Sequence, residues 1–245
     1  DMDVTDTVKI VHDDAIANGL RILGPDVNAS EYRFTPVDRS TIRYGLGAVK
    51  GTGEQAVHAI LKAREASGPF KDLFDFCRRA DKRLVNRRTI EALIRAGGFD
   101  SLDRHRARLL ASVGIAMEAA EQAERNAMQV SLFDIFDAGE QGDELGPRYV
   151  EVPRWSERQQ LNEEKLALGF YFSGHPFHGV QAEVSRFVRK PLAALEARKE
   201  PQWLAGLVVG VRSKFTARGK MAFIQLDDGT SSLEVSVFNE LLEAE

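Results

Sequence analysis

Residues 47–54 read Gly47-Ala48-Val49-Lys50-Gly51-Thr52-Gly53-Glu54, and apolar residues follow at Val57, Ile60 and Leu61. The i, i+3, i+4 spacing is one face of an α-helix, so the glycine-bearing stretch is a turn that opens a helix. With helical residues before it as well, it has the form of a helix-hairpin-helix element. Glycines let the backbone come close to a phosphate, and the N–H groups and dipole at the next helix's N-terminus receive its negative charge. Lys50 adds a point charge, and such a grip reads the DNA backbone rather than base sequence. A phosphate loop of the NTPase kind needs its lysine after the last glycine, where this chain has Glu54. An ordinary tight turn between packed helices is the competing reading.

Working outward, Asn86-Arg87-Arg88 leads into Ile90, Leu93 and Ile94 at the same helical spacing. The turn Gly97-Gly98-Phe99-Asp100-Ser101-Leu102 follows, then Arg104, Arg106 and Arg108 at the start of a helix carrying Leu109, Val113, Ala116 and Ala120. The layout repeats the first element and predicts a tandem pair, with arginines on the side where phosphate would arrive; solvated arginines without a partner are the other reading. Residues 40 to about 124 are thus read as helices joined by short turns, a compact bundle.

The net charge of −4 argues against a nucleic-acid binder, but its distribution does not. Residues 78–108 hold ten Lys/Arg against four acids, a local +6, and residues 111–170 hold five against twelve, a local −7. Such segregation suggests a basic face followed by an acidic connection. After the long Ala- and Glu-rich helix, and before the acidic connection, stand Gln129-Val130-Ser131-Leu132-Phe133. An exposed Leu-Phe pair there calls for a partner, the glutamine amide setting orientation; the competing reading folds both residues back onto the helical core.

Residues 137–153 are acidic and Gly-bearing, and read as a linker. A helix is expected from Trp155 to Leu168, ending at Gly169. From Trp203 the period becomes two, giving strands at 204–211, 221–226 and 233–238, joined by a basic loop (212–220) and an Asp227-Asp228-Gly229-Thr230 turn. Three such strands resemble the first half of an OB-fold, which binds single strands through its face and loops. Residues 1–38 look like the end of an earlier module, with a strand at Val8, Ile10 and Val11, a short helix from His12 to Gly19, and a turn at Gly24-Pro25-Asp26. The fold class expected is mainly α followed by a partial antiparallel β unit, α+β overall.

At 43% hydrophobic and 29% charged, the chain is globular for most of its length. Its single cysteine, Cys77, excludes a disulfide framework and fits a reducing, cytoplasmic compartment. No signal peptide or membrane-length apolar run is visible, and the chain starts and stops abruptly, as a piece of a larger protein would. The five histidines are scattered; His175 and His178 lack a clustered third ligand, and Asp227-Asp228 reads as a hairpin turn before it reads as a Mg²⁺ pair. No metal or nucleophilic triad is expected here.

Residues 43–77, the run Leu93-Ile94-Arg95-Ala96-Gly97-Gly98-Phe99-Asp100-Ser101-Leu102, and the run Leu168-Gly169-Phe170-Tyr171-Phe172-Ser173-Gly174-His175-Pro176 resemble, in order, blocks of the bacterial replicative DNA polymerase III alpha subunits. Pro25-Asp26-Val27-Asn28 resembles the end of their fingers region. The resemblance implies four segments: 1–38, the end of the fingers; 39–136, a tandem helix-hairpin-helix clamp-binding domain; 137–200, linker and connecting helices; 201–245, the first part of an OB domain. It implies duplex contacts at Lys50, Gly51, Thr52, Gly53, Arg87, Arg88, Arg104 and Arg106. Lys214, Arg218 and Lys220 would lie near single-stranded template, and Gln129, Ser131, Leu132 and Phe133 would dock into a sliding clamp. It further implies a nucleotidyltransferase parent using Mg²⁺, located in the cytoplasm with the nucleoid, with its catalytic palm outside these residues. The fragment itself would then have no catalytic residue and no cofactor, and other replicase subunits would bind mostly elsewhere. A stand-alone repair nuclease with a metal at Asp227 and Asp228, or a scaffold binding only proteins, are the functions it competes with.

Overall fold

Why the helices begin where they do is visible in their caps. In the computed structural model, which describes residues 5–133, 148–216 and 219–242, the side chains of Asp72, Asn86 and Ser156 accept the N–H of Asp75, Thr89 and Gln159, respectively. Each satisfies an amide that the first helical turn leaves unpaired. The helices so started are α3 (Leu73–Arg79), α4 (Arg87–Arg95) and α6 (Glu157–Leu168), and α6 ends at left-handed Gly169, as the sequence predicts. Two further helices, α2 (Glu54–Ser67) and α5 (Arg106–Phe133), complete the bundle.

The chain divides into two compact units, residues 1–172 and 173–245. In the first, α2 to α6 enclose a core in which Leu46, Ile60, Phe76, Leu93, Phe99, Leu109 and Leu168 are fully buried. The rings of Phe76 and Phe99 meet at 4.9 Å, and truncating either would cost about 3–5 kcal/mol.

Residues 1–38 do not stand apart from this core. Val27 is fully buried, and Asn28 pairs both ways with Phe70, accepting its N–H at 2.7 Å and donating to its carbonyl at 2.9 Å. The expected strand at Val8, Ile10 and Val11 is instead part of a helix, α1 (Thr5–Ala17). Of those three only Val8 is buried; four residues on, His12 rests on the rings of Phe170 and Phe172, which is helical spacing. Three short strands follow: β1 (Arg21–Leu23), β2 (Thr35–Pro36) and β3 (Thr41–Arg43), with β3 parallel to β1 and antiparallel to β2.

The end of the acidic connection is also tied down. The Tyr149 hydroxyl accepts the N–H of Leu73 at 3.3 Å and Val150 donates to Ser112 Oγ at 2.9 Å, so residues 149 and 150 are packed where a free linker was expected.

The second unit holds α7 (His178–Val184), β4 (Leu207–Thr216), β5 (Gly219–Asp227), β6 (Ser232–Val237) and α8 (Asn239–Leu242). The strands form an antiparallel meander in the order β4-β5-β6, so the overall class is α+β, as expected. The basic loop predicted at 212–220 is mostly strand, because β4 runs on to Thr216 and pairs Phe215 with Lys220.

Candidate nucleic-acid interface

The approach to α2 is a short 3₁₀ turn, Leu46–Ala48, followed by exposed Lys50, Gly51 and Gly53 around a buried Thr52. The Thr52 hydroxyl lies 2.7 Å from the Leu46 carbonyl and 2.6 Å from that of Val49, and its N–H donates to Val49 as well. Thr52 therefore locks the turn from inside, and its side chain is not the direct DNA contact that was expected. Lys50 donates its N–H to the Ala167 carbonyl at 2.8 Å, which fastens the turn to the end of α6.

The two exposed glycines differ in what demands them. Gly51 has φ +82, a conformation that other residues adopt only with strain. Gly53 caps α2 at φ −70 and ψ 153, ordinary extended backbone, with no side-chain cap and open space where a Cβ would stand. Nothing inside the fold requires glycine there. What its absence of side chain leaves open is access to the uncapped amides of the first turn of α2. Glu54, in that same turn, is the one local charge unfavourable to an anion.

Beside this turn stands the N-terminus of α4. The Thr89 hydroxyl is 3.4 Å from the Gly51 carbonyl, so exposed Arg87 and Arg88 lie next to the Lys50–Gly53 turn. The second hairpin that meets the first is therefore the turn between α3 and α4, residues 80–86. The glycine turn after α4 is buried at Gly97 and Gly98. A Cβ on Gly97 would collide with the Arg106 guanidinium.

Arg106 itself is a correction. It is 7% exposed and donates to both oxygens of Asp100 at 2.8 and 2.6 Å and to Glu164 at 2.9 Å. Burial alone would weaken its hold on its proton, but Asp100 and Glu164 outweigh it and push its pKa up. Its charge is spent inside the fold and cannot meet a phosphate. Of the other expected contacts, Arg87 is exposed but paired with Glu91 at 2.7 Å. Lys50, Arg88 and Arg104 are exposed, without a carboxylate partner among the described residues.

In the second unit, Lys214 pairs across the ladder with Met221, and Lys220 with Phe215. Cross-strand partners share a face and neighbours along a strand alternate, so Lys214 and Lys220 lie on opposite faces, not on one basic loop. Arg212 shares the Lys214 face and covers the Phe223 ring at 5.1 Å. Arg218 lies outside the described residues. Asp228 is buried, accepting from Leu192 N–H at 2.7 Å, the Thr230 hydroxyl at 2.7 Å and the N–H groups of Thr230 and Ser231. Asp227 accepts from Gly229 N–H at 2.9 Å. These carboxylates hold a turn, as expected, and among the described residues no group of three or more His, Cys, Asp or Glu could hold a metal ion.

Backbone helix continues through Gln129, Ser131, Leu132 and Phe133 at the end of α5, where a segment beyond the helix was expected; their side chains lie outside the described residues. No helix among the described residues is long and apolar enough to cross a membrane.

Residues 19–109, the stretch containing both hairpins, match the helix-hairpin-helix motif family. The chain is 46% identical over 244 residues to DNA polymerase III subunit alpha of Neisseria meningitidis serogroup A, 41% over 249 residues to that of Vibrio cholerae, and 38% over 250 residues to that of Escherichia coli. Each match covers 99% of this chain. The chain is similar, over nearly its whole length, to a segment of DNA polymerase III alpha subunits. It spans 21% of the length of each of these relatives. The turns around Gly51 and before Thr89 both lie within the stretch that matches the helix-hairpin-helix motif family. Sequence reasoning missed the second hairpin, although Asn86, a favoured cap residue three positions before Thr89, marked the start of α4.

Proposed function

We propose that this chain is the part of a replicative DNA polymerase that grips primer–template duplex through its backbone and tethers the enzyme to a sliding clamp. The observation that carries the first half is the pairing of two helix N-termini, α2 and α4, through Thr89 and Gly51. Gly53, where no side chain caps α2, Lys50 on the turn and Arg88 on α4 are all exposed. Amides and a positive dipole end suit a phosphate, and two such ends side by side suit successive phosphates of one strand. Contacts of this kind position a duplex without reading it. Arg104 and, in the second unit, Arg212 and Lys214, which share a face with the Phe223 ring, are proposed as secondary contacts, the latter two to single-stranded template.

The clamp tether is proposed at Gln129, Ser131, Leu132 and Phe133. Polymerisation by the whole subunit, with Mg²⁺ held outside these residues, belongs to the same proposal, as does the lack of a catalytic centre in this segment. The test is duplex binding across a salt series with wild type, Lys50→Ala and Arg88→Ala. Each variant should lower the slope of log K against log salt by about 0.9, one phosphate contact, equally on unrelated sequences. A changed sequence preference with an unchanged slope would refute the hairpin grip.

A further inference from the structure

A groove of about 550 Å³ lies between α4, α5, the segment 152–155 and the start of α6, lined among others by Arg87, Arg95, Leu110, Arg154, Trp155 and Gln159. Nothing in the duplex grip uses it. Its lining includes apolar Ala107 and Leu110 and the half-buried indole of Trp155. Its lining carries three guanidiniums and one carboxylate, Glu91, which holds Arg87 at 2.7 Å and Arg95 at 3.6 Å; Glu163, outside the lining, also holds Arg95 at 2.8 Å. Arg154 is exposed and has no carboxylate partner among the described residues; its Nη1 is 3.5 Å from the Arg104 carbonyl, which brings a second unpaired arginine alongside.

We propose that this groove holds one unpaired nucleotide of a DNA strand, with a phosphate on Arg154 and the base against Trp155. An indole among apolar side chains fits a base, and a guanidinium fork fits a phosphate. The volume is that of a small-ligand recess, about 300–1,000 Å³, too small for a docked helix. An acidic peptide would answer the arginines but leave the indole without a flat partner. Arg87 joins the groove to the hairpin face, since it lies two residues before Thr89. That the ligand is DNA rests on the duplex grip proposed above.

The chain has two tryptophans, Trp155 and Trp203, and Trp203 is 80% exposed. A Trp203→Phe variant of the full chain therefore makes Trp155 a local reporter, blind to strand binding in the second unit. It would be titrated with blunt duplex, with the same duplex bearing a short unpaired extension, with oligothymidylate and with a polyglutamate peptide. The extended duplex and oligothymidylate should quench Trp155 emission, whereas blunt duplex should not. Arg154→Ala should weaken the quenching interaction about tenfold without altering blunt-duplex affinity. Equal quenching by blunt duplex, quenching by polyglutamate as strong as by oligothymidylate, or an unaffected Arg154→Ala variant would overturn the proposal. Quenching by oligothymidylate with no binding of blunt duplex would support the groove and refute the duplex grip, so the two failures are separable.

Discussion

The hydroxyl of Thr89 lies 3.4 Å from the carbonyl oxygen of Gly51, joining residues 38 apart in sequence. The same hydroxyl is 3.4 Å from Asn86 Oδ1, the cap of its own helix. One side chain thus ties the start of α4 to the turn that opens α2. Thr89→Val should keep the packing volume and lose this tie. Duplex affinity should then fall more than stability does, since a neutral hydrogen bond contributes only about 0.5–1.5 kcal/mol to folding. A loss of stability with unchanged affinity would mean the two helix ends act independently.

Arg106 joins the Gly97 turn, the end of α4 and α6 through Asp100, the Arg95 carbonyl and Glu164. Removing its charge breaks a buried ion pair with Glu164. Arg106→Ala should cost about 3–5 kcal/mol in urea unfolding, and its folded fraction should bind duplex with an unchanged salt slope. A lowered slope would return Arg106 to the DNA contacts.

Asp75 accepts from Arg78 at 3.0 Å, from Arg79 at 2.9 Å and from the Lys71 N–H at 3.1 Å. Burial by itself would raise its pKa, but these partners outweigh it and hold the carboxyl below the usual value. Its contribution to stability is then complete above the unfolded-state pKa of about 3.9 and is lost as pH falls through the lower folded value. Thermal midpoints measured from about pH 5 down to pH 2.5 should fall less steeply in Asp75→Asn than in wild type. Parallel curves would show that Asp75 has no part in acid unfolding.

Burial pushes the Cys77 thiol up to about 12. Only the thiolate reacts, so alkylation at neutral pH should wait on opening of the core. The labelling rate should rise with urea in step with global unfolding; fast labelling of the native chain would show that α3 opens locally.

How far the sequence could be read depended on whether a signal was local. The helix from Glu157 to its Gly169 stop, and the strand meander with the Asp227–Thr230 turn between β5 and β6, follow from spacing and turn residues within a dozen positions. Arg106 could not be read that way. An arginine at a helix start looks solvated until Glu164, 58 residues away, is brought against it. The same holds for the second hairpin, whose place beside Gly51 is a fact of packing between α2 and α4. Val8, Ile10 and Val11 suggested a strand by residue type, and only the rings that receive His12 establish the helix.

The duplex grip is tested most directly at Gly53. Its backbone already has the cap conformation that aspartate favours, and a Cβ there meets nothing. Gly53→Asp would cap α2, add a favourable charge to its N-terminus and cover the amides proposed to hold phosphate. Thermal midpoint and duplex affinity, measured on this one variant, should move apart: the midpoint unchanged or raised, the affinity lowered at least about tenfold, as expected for losing a charge-assisted hydrogen bond. Undiminished affinity in a folded Gly53→Asp protein would contradict the hairpin as the site of phosphate binding.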